Sequence, residues 1–135
     1  MKGAIATAAL AAVLLGACAQ ATGPAGPVTV TMDEFSFKLS QTSSPAGDVT
    51  FIVKNAGTVV HEFAILRTDL AHDKIPARPN EPSKVQEPGI AGEIEDIDAG
   101  ATKQATFKLT PGNYVLICNE PAHYAAGMHL AYTVR

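Results

Sequence analysis

The sequence predicts an all-β fold, a Greek-key β-sandwich of about seven or eight short strands. Three observations predict it. Apolar and polar residues alternate with period two in several segments, among them Val28–Met32, Phe35–Leu39 and Thr102–Leu109. Glycine, proline and asparagine clusters punctuate the chain between those segments. No amphipathic helical stretch of useful length interrupts the pattern.

The chain has 135 residues, enough for one domain with a core that folds alone. Its first segment stands apart from that domain. Lys2 is followed by an uncharged run, Ala4–Ala17, too short for a stable membrane span but suited to the apolar region of a secretion signal. The run ends Leu15-Gly16-Ala17-Cys18, which resembles the lipobox of bacterial lipoproteins. That resemblance implies a signal peptide over residues 1–17 and lipidation of Cys18. Ala19–Pro27 (A-Q-A-T-G-P-A-G-P) then reads as a tether, so residues 18–27 form the anchor and linker. The expected location is the periplasmic face of a bacterial membrane, the outer in preference to the inner, with the protein a monomer held by its lipid.

The folded domain is expected over residues 28–135. After the first two strands, Ser43–Gly47 reads as a turn, Val49–Lys54 as a strand and Asn55-Ala56-Gly57 as a turn. Val59–Leu66 is a mostly apolar strand. From Arg67 to Gly92 the pattern breaks down. Pro76, Pro79, Pro82 and Pro88 exclude a long helix or a central strand there, leaving room for a short helix near Thr68–His72. A structured excursion of this length often carries function. Gly92–Ile97 and Thr102–Leu109 return to strand character. Pro111-Gly112-Asn113 turns the chain into Tyr114–Cys118, and His129–Val134 closes the domain.

Charge and cysteine usage narrow the function. The chain carries 10 basic and 13 acidic side chains without a Lys/Arg cluster, which argues against nucleic acid as a partner. It has two cysteines. With Cys18 assigned to lipid, Cys118 is alone in an exported protein, where paired cysteines are the rule. Metal ligation is one way to protect such a thiol.

Cys118 opens the stretch C-N-E-P-A-H-Y-A-A-G-M-H, in which His123 and Met128 follow at five-residue intervals. The small residues between them let the chain wrap around one point. A mononuclear site also needs a ligand from elsewhere, and His61, at the start of an apolar strand, is the candidate. Two imidazoles and a thiolate with a weak axial thioether form the donor set of a type 1 copper site. Structural zinc takes Cys and His without Met, and calcium and magnesium take oxygen. Taken singly, a buried Cys, a strand His or a loop Met is more often packing than ligand. Their conjunction at this spacing favours the metal.

N-A-G-T-V-V-H-E-F followed by P-G-N-Y-V-L-I-C-N-E-P-A-H-Y-A-A-G-M resembles the cupredoxin family, and the C-x4-H-x4-M loop is most similar to the sulfocyanin, rusticyanin and auracyanin group. The resemblance covers most of residues 28–135. It implies a Greek-key sandwich and one copper ion held by His61, Cys118, His123 and Met128. The implied role is electron transfer with no substrate turned over. It also implies docking of redox partner proteins on the small apolar patch around His123, formed by Pro121, Ala122, Tyr124, Ala125 and Ala126. Two positions depart from the pattern. Pro121-Ala122 stands where relatives carry Pro-Gly, and alanine does not relax into φ > 0 as glycine does, so the loop is expected to sit differently. Glu62 stands where many relatives carry Asn or Ser, placing a carboxylate next to a ligand.

Other readings carry less. His61-Glu62 lacks the second histidine of a zincin helix, since Ile65 is in its place. His129 is expected to point away from Met128 as a surface or supporting residue, and His72 to lie in a solvated loop. A copper chaperone or buffer is the alternative function. Such a protein favours exposed, methionine-rich ligands, whereas this chain has only three Met, one of them Met1.

Overall fold

The computed structural model describes residues 26–135. The expected signal peptide, Cys18 and all but the last two tether residues lie outside the described part. Eleven strands follow one another: β1 (Val28–Asp33), β2 (Ser36–Leu39), β3 (Ser43–Ser44), β4 (Gly47–Asn55), β5 (His61–Arg67), β6 (Ala77–Arg78), β7 (Glu81–Val85), β8 (Ile90–Ile97), β9 (Thr102–Leu109), β10 (Gly112–Ile117) and β11 (His129–Val134). They form a four-stranded sheet, β2-β1-β4-β9, a five-stranded sheet, β3-β11-β10-β5-β8, and the separate hairpin β6-β7. The chain visits the second sheet at β3, crosses to it again after β4, returns to the first for β9 and crosses back before β10, in Greek-key fashion. Both sheets are mixed, because β1 runs parallel to β4 and β3 parallel to β11. Among the described residues no helix is long and apolar enough to cross a membrane.

Alternation puts one face of each strand inside. Val28, Val30 and Met32 of β1 and Val49, Phe51 and Val53 of β4 point inward from the first sheet. Phe63 and Ile65, Tyr114 and Leu116, and Tyr132 and Val134 meet them from the second. Phe51 is central, with its ring centroid 5.2 Å from that of Phe63 and 5.7 Å from that of Tyr132. Phe107 lies against Gly92 so closely that a Cβ at position 92 would run into its ring.

A second, smaller core explains why β5 is apolar almost throughout. Ala64 and Leu66 of β5 and Val115 and Ile117 of β10 face away from the sandwich, and Ile75, Val85 and Tyr124 cover them. The proline-rich excursion thus caps the outer face of the five-stranded sheet, and a strand covered on both faces loses its alternation.

Several expected elements differ. The short helix at 68–72 does not form. Thr68 N–H donates to Asn113 O at 3.1 Å and Leu70 N–H to Thr68 Oγ1 at 3.2 Å, so local side-chain bonding replaces helical bonding. The excursion holds the hairpin β6-β7, with Pro82 inside a two-stranded ribbon that needs few of its donors. The Ser43–Gly47 turn includes β3, and Val59 and Val60 precede β5 as exposed residues.

Candidate metal centre

Pairing in the second sheet brings the donors together. Antiparallel β5 and β10 match Ala64 with Ile117, which sets His61 at the head of β5 near the end of β10. Cys118 follows β10 directly. Its N–H donates to Met128 O at 3.1 Å, one step beyond the Ile117–His129 pair, so the β10–β11 ladder closes the ligand loop at its base. Inside the loop His123 N–H donates to Glu120 O (3.0 Å), Ala126 N–H to Ala122 O (3.0 Å), Gly127 N–H to Tyr124 O (2.9 Å) and Met128 N–H to His123 O (3.1 Å). The wrap expected from small residues is a hydrogen-bonded coil.

Three ligand atoms converge. His61 Nδ1 and His123 Nδ1 lie 3.2 Å apart. Cys118 Sγ is 3.8 Å from the first and 3.3 Å from the second. The point equidistant from all three lies about 2.0 Å from each, the length of a metal–imidazole bond and slightly short of the ~2.3 Å usual for thiolate. His61 and Cys118 are fully buried, and Met128 is buried in the same core cluster as Cys118. Two nitrogens, one sulfur and a thioether close by fit a type 1 copper ion better than zinc or a hard cation.

The electrostatics suit a cation as well. Burial pushes the Cys118 thiol up to about 11, against which the amide hydrogen bond from Glu62 works in the opposite direction. At neutral pH that sulfur keeps its proton until a metal replaces it. Burial holds His61 and His123 below the usual imidazole range, leaving them neutral with lone pairs available. Each needs its proton on Nε2. His61 Nε2 is buried without a hydrogen-bond partner, and Glu34 Oε1 lies 3.8 Å from it, a charge that favours that tautomer.

Supporting residues came from places the sequence did not advertise. Glu34 Oε1 accepts the N–H groups of Thr58 and Val59, fastening the turn ahead of His61, and Gly57 leaves room for it. Buried Asn55 donates to Val59 O (2.7 Å) and Ile97 O (2.8 Å) and accepts from Gly57 N–H (2.9 Å). Asn119 exchanges two bonds with Val85, N–H to Oδ1 at 2.8 Å and Nδ2 to O at 2.9 Å. Phe35 packs its ring edge-on to His123 with centroids 4.8 Å apart. The N-A-G turn hinted at Asn55; nothing local in the sequence marks Glu34 or Phe35.

Three expectations need correction. Ala122 adopts φ 68°, so alanine takes the conformation expected of glycine, and its N–H reaches Ser83 O at 2.7 Å. Tyr124 is buried and does not belong to the exposed patch; its hydroxyl donates to His72 O (2.7 Å) and accepts from Ile75 N–H (2.9 Å). His72 is not a solvated loop residue: its Nδ1 lies 2.7 Å from that of His129, whose ring packs on Tyr124. Pro121, Ala122, Ala125 and Ala126 are exposed as expected, and Phe35, 39% exposed, joins them. Glu62 is buried, and that burial, reinforced by Glu87 and Glu93, pushes its carboxyl up to about 7.

No family model matches the chain, and no curated protein matches it in sequence. Solved structures do match. A dithionite-reduced auracyanin from the photosynthetic bacterium Roseiflexus castenholzii superposes with a TM-score of 0.63 at 24% identity, over 84% of this chain and 99% of that one. Auracyanin B gives 0.61 at 26% identity, over 84% and 91%. Rusticyanin from Thiobacillus ferrooxidans gives 0.56 at 21% identity, over 79% and 76%. These proteins are cupredoxins, and the chain has their fold.

Proposed function

We propose that this protein is a type 1 copper carrier that passes single electrons between exported redox partners. The observation that carries the reading is the Nδ1–Nδ1–Sγ triangle, closed by backbone hydrogen bonds and backed by a buried methionine. Bound copper supplies one-electron chemistry by alternating between Cu(II) and Cu(I). The chain's own residues do the rest. Cys118 and His61 are fully buried, which keeps water and oxidants from the thiolate. Glu62 N–H donates to Cys118 Sγ at 3.3 Å and disperses its negative charge. His123 is only partly buried and is the ligand with a path to the surface.

Docking belongs to that surface. Phe35, Pro121, Ala122, Ala125 and Ala126 surround His123 with small and apolar groups, a patch suited to brief contact with partner proteins. The lipobox-like stretch ending at Cys18 supports tethering at the periplasmic face of a membrane. A carrier rather than an enzyme is the reading that four ligands filling one small site support. A chaperone that hands over its metal is disfavoured by the burial of Cys118, His61 and Met128.

The test is a visible spectrum and a redox titration of the purified protein with Cu(II). An intense thiolate-to-copper band, reversible one-electron cycling and loss of the band in Cys118→Ser are expected. Copper binding without the band, indifferent to Cys118→Ser, would sink the reading.

A further inference from the structure

A second cluster of donors lies one residue away from the metal triangle in sequence and is made of oxygen only. Glu62 of β5, Glu87 after β7 and Glu93 of β8 each bring a carboxylate oxygen to within 4.8 Å of the others. Acidic groups often gather on surfaces without consequence, but Glu62 is different. It is only 8% exposed, and its Oε1 has no hydrogen-bond partner. A buried carboxylate oxygen left unpaired is costly unless it takes up a proton or meets a cation.

Of the cations nearby, Arg78 reaches the cluster only at Glu87. Arg78 donates from Nη2 to Glu87 Oε2 at 2.9 Å, from Nη1 to Glu81 Oε2 at 3.4 Å and from Nε to Val85 O at 3.0 Å. Lys84 influences Glu62 from a distance. Among the described residues no cationic side chain forms an ion pair with Glu62 or Glu93. Glu87 is also held in place, its Oε1 accepting from Asn119 Nδ2 at 2.7 Å. The cluster therefore has one buried, unpartnered oxygen donor, one pinned donor and one exposed donor open to water.

We propose that Glu62, Glu87 and Glu93 form a binding site for a hard divalent cation of the Ca2+ class. Hard cations take carboxylate oxygens and complete their shells with water, and the exposed Glu93 side leaves room for it. An ion there offsets the repulsion among three carboxylates of which only Glu87 already has a cationic partner, and it gives the orphaned Glu62 oxygen its own. The position couples the ion to the metal triangle through two short links. Glu62 follows His61 and donates its N–H to Cys118 Sγ, while Asn119 follows Cys118 and holds Glu87. The site stands independently of copper, so it is tested on protein freed of copper.

The experiment is calorimetric titration of the chelator-treated, purified protein with CaCl2 and, separately, MnCl2, alongside thermal unfolding. Expected are one binding event per chain and a Tm rise of about 5 °C at saturation. Glu93→Gln, an exposed change that leaves the fold intact, should weaken binding about tenfold, and Glu62→Gln with Glu93→Gln should abolish it. No heat and no Tm shift with either ion at millimolar concentration overturns the proposal. So does binding that survives the double substitution or disappears in Cys118→Ser, which places the ion at the triangle instead. Neither result bears on the copper reading, whose own test is the thiolate band.

Discussion

Ala122 shows what a single backbone angle costs in this site. Its φ of 68° lies where an L-residue's Cβ crowds the carbonyl, at roughly 1–2 kcal/mol. The loop keeps it there because Ala122 N–H donates to Ser83 O and Ala122 O accepts from Ala126 N–H, bonds that any other conformation would lose. Ala122→Gly removes the crowding and retains both bonds, while the unfolded chain gains freedom that takes back ~0.4–1 kcal/mol. The net expectation is stabilisation by about 0.5–1 kcal/mol, read as a higher urea midpoint at an unchanged m-value. A midpoint that falls would mean that the loop does not hold this angle in solution. The residue itself was legible as the odd one in the loop. What the sequence misled on was the response: alanine was expected to move the loop, and the hydrogen bonds move the alanine instead.

At the scale of elements, the excursion between β5 and β8 is the part least readable in advance. Its prolines correctly excluded a long helix and a central strand. They could not say that the segment folds back over β5 and β10, because that contact joins residues far apart in sequence. The information was present in another form: β5 and β10 are apolar on both faces, and such strands need cover on both sides. Tyr124 fastens the cover. It sits in the ligand loop, yet its hydroxyl bonds Ile75 N–H and His72 O in the excursion, and its ring packs in the outer core. Tyr124→Phe keeps the ring and strands a buried amide, at an expected cost of about 1–3 kcal/mol. Amide exchange at Ile75 should quicken, while the copper band stays where it was, since the loop's own backbone bonds survive. A band that shifts with this variant would show that the excursion, and not the loop alone, sets the ligand geometry. The donors that the fold brings together, His61, Cys118 and His123, were legible because a short loop carries two of them and donor type points to a metal. Glu34, Phe35 and Asn119 were not, because their roles depend on strand order.

For the whole molecule, the question is whether metal makes the site or the fold does. Small zinc domains are unfolded without their ion because the metal replaces a missing core. Here the core is complete without one. Phe51, Phe63 and Tyr132 fill the sandwich, and the paired strands β5, β10 and β11 fix the positions from which His61, Cys118 and Met128 emerge. The bonds that shape the triangle run from Asn55, Glu34, Glu62 and the loop backbone, none of which needs an ion. A site held this way would offer either oxidation state of a bound copper ion the same ligand positions, as the proposed one-electron exchange requires. Copper removal is therefore expected to leave a folded protein with a single cooperative thermal transition. Copper loading should raise Tm by about 5 °C or more, because tight binding to the native state alone shifts the equilibrium by mass action. Backbone amide spectra of the copper-free and Cu(I)-loaded forms should differ only near residues 61 and 118–128. A copper-free protein without a cooperative transition would reverse the causality, making the metal the organiser and the β-framework its consequence.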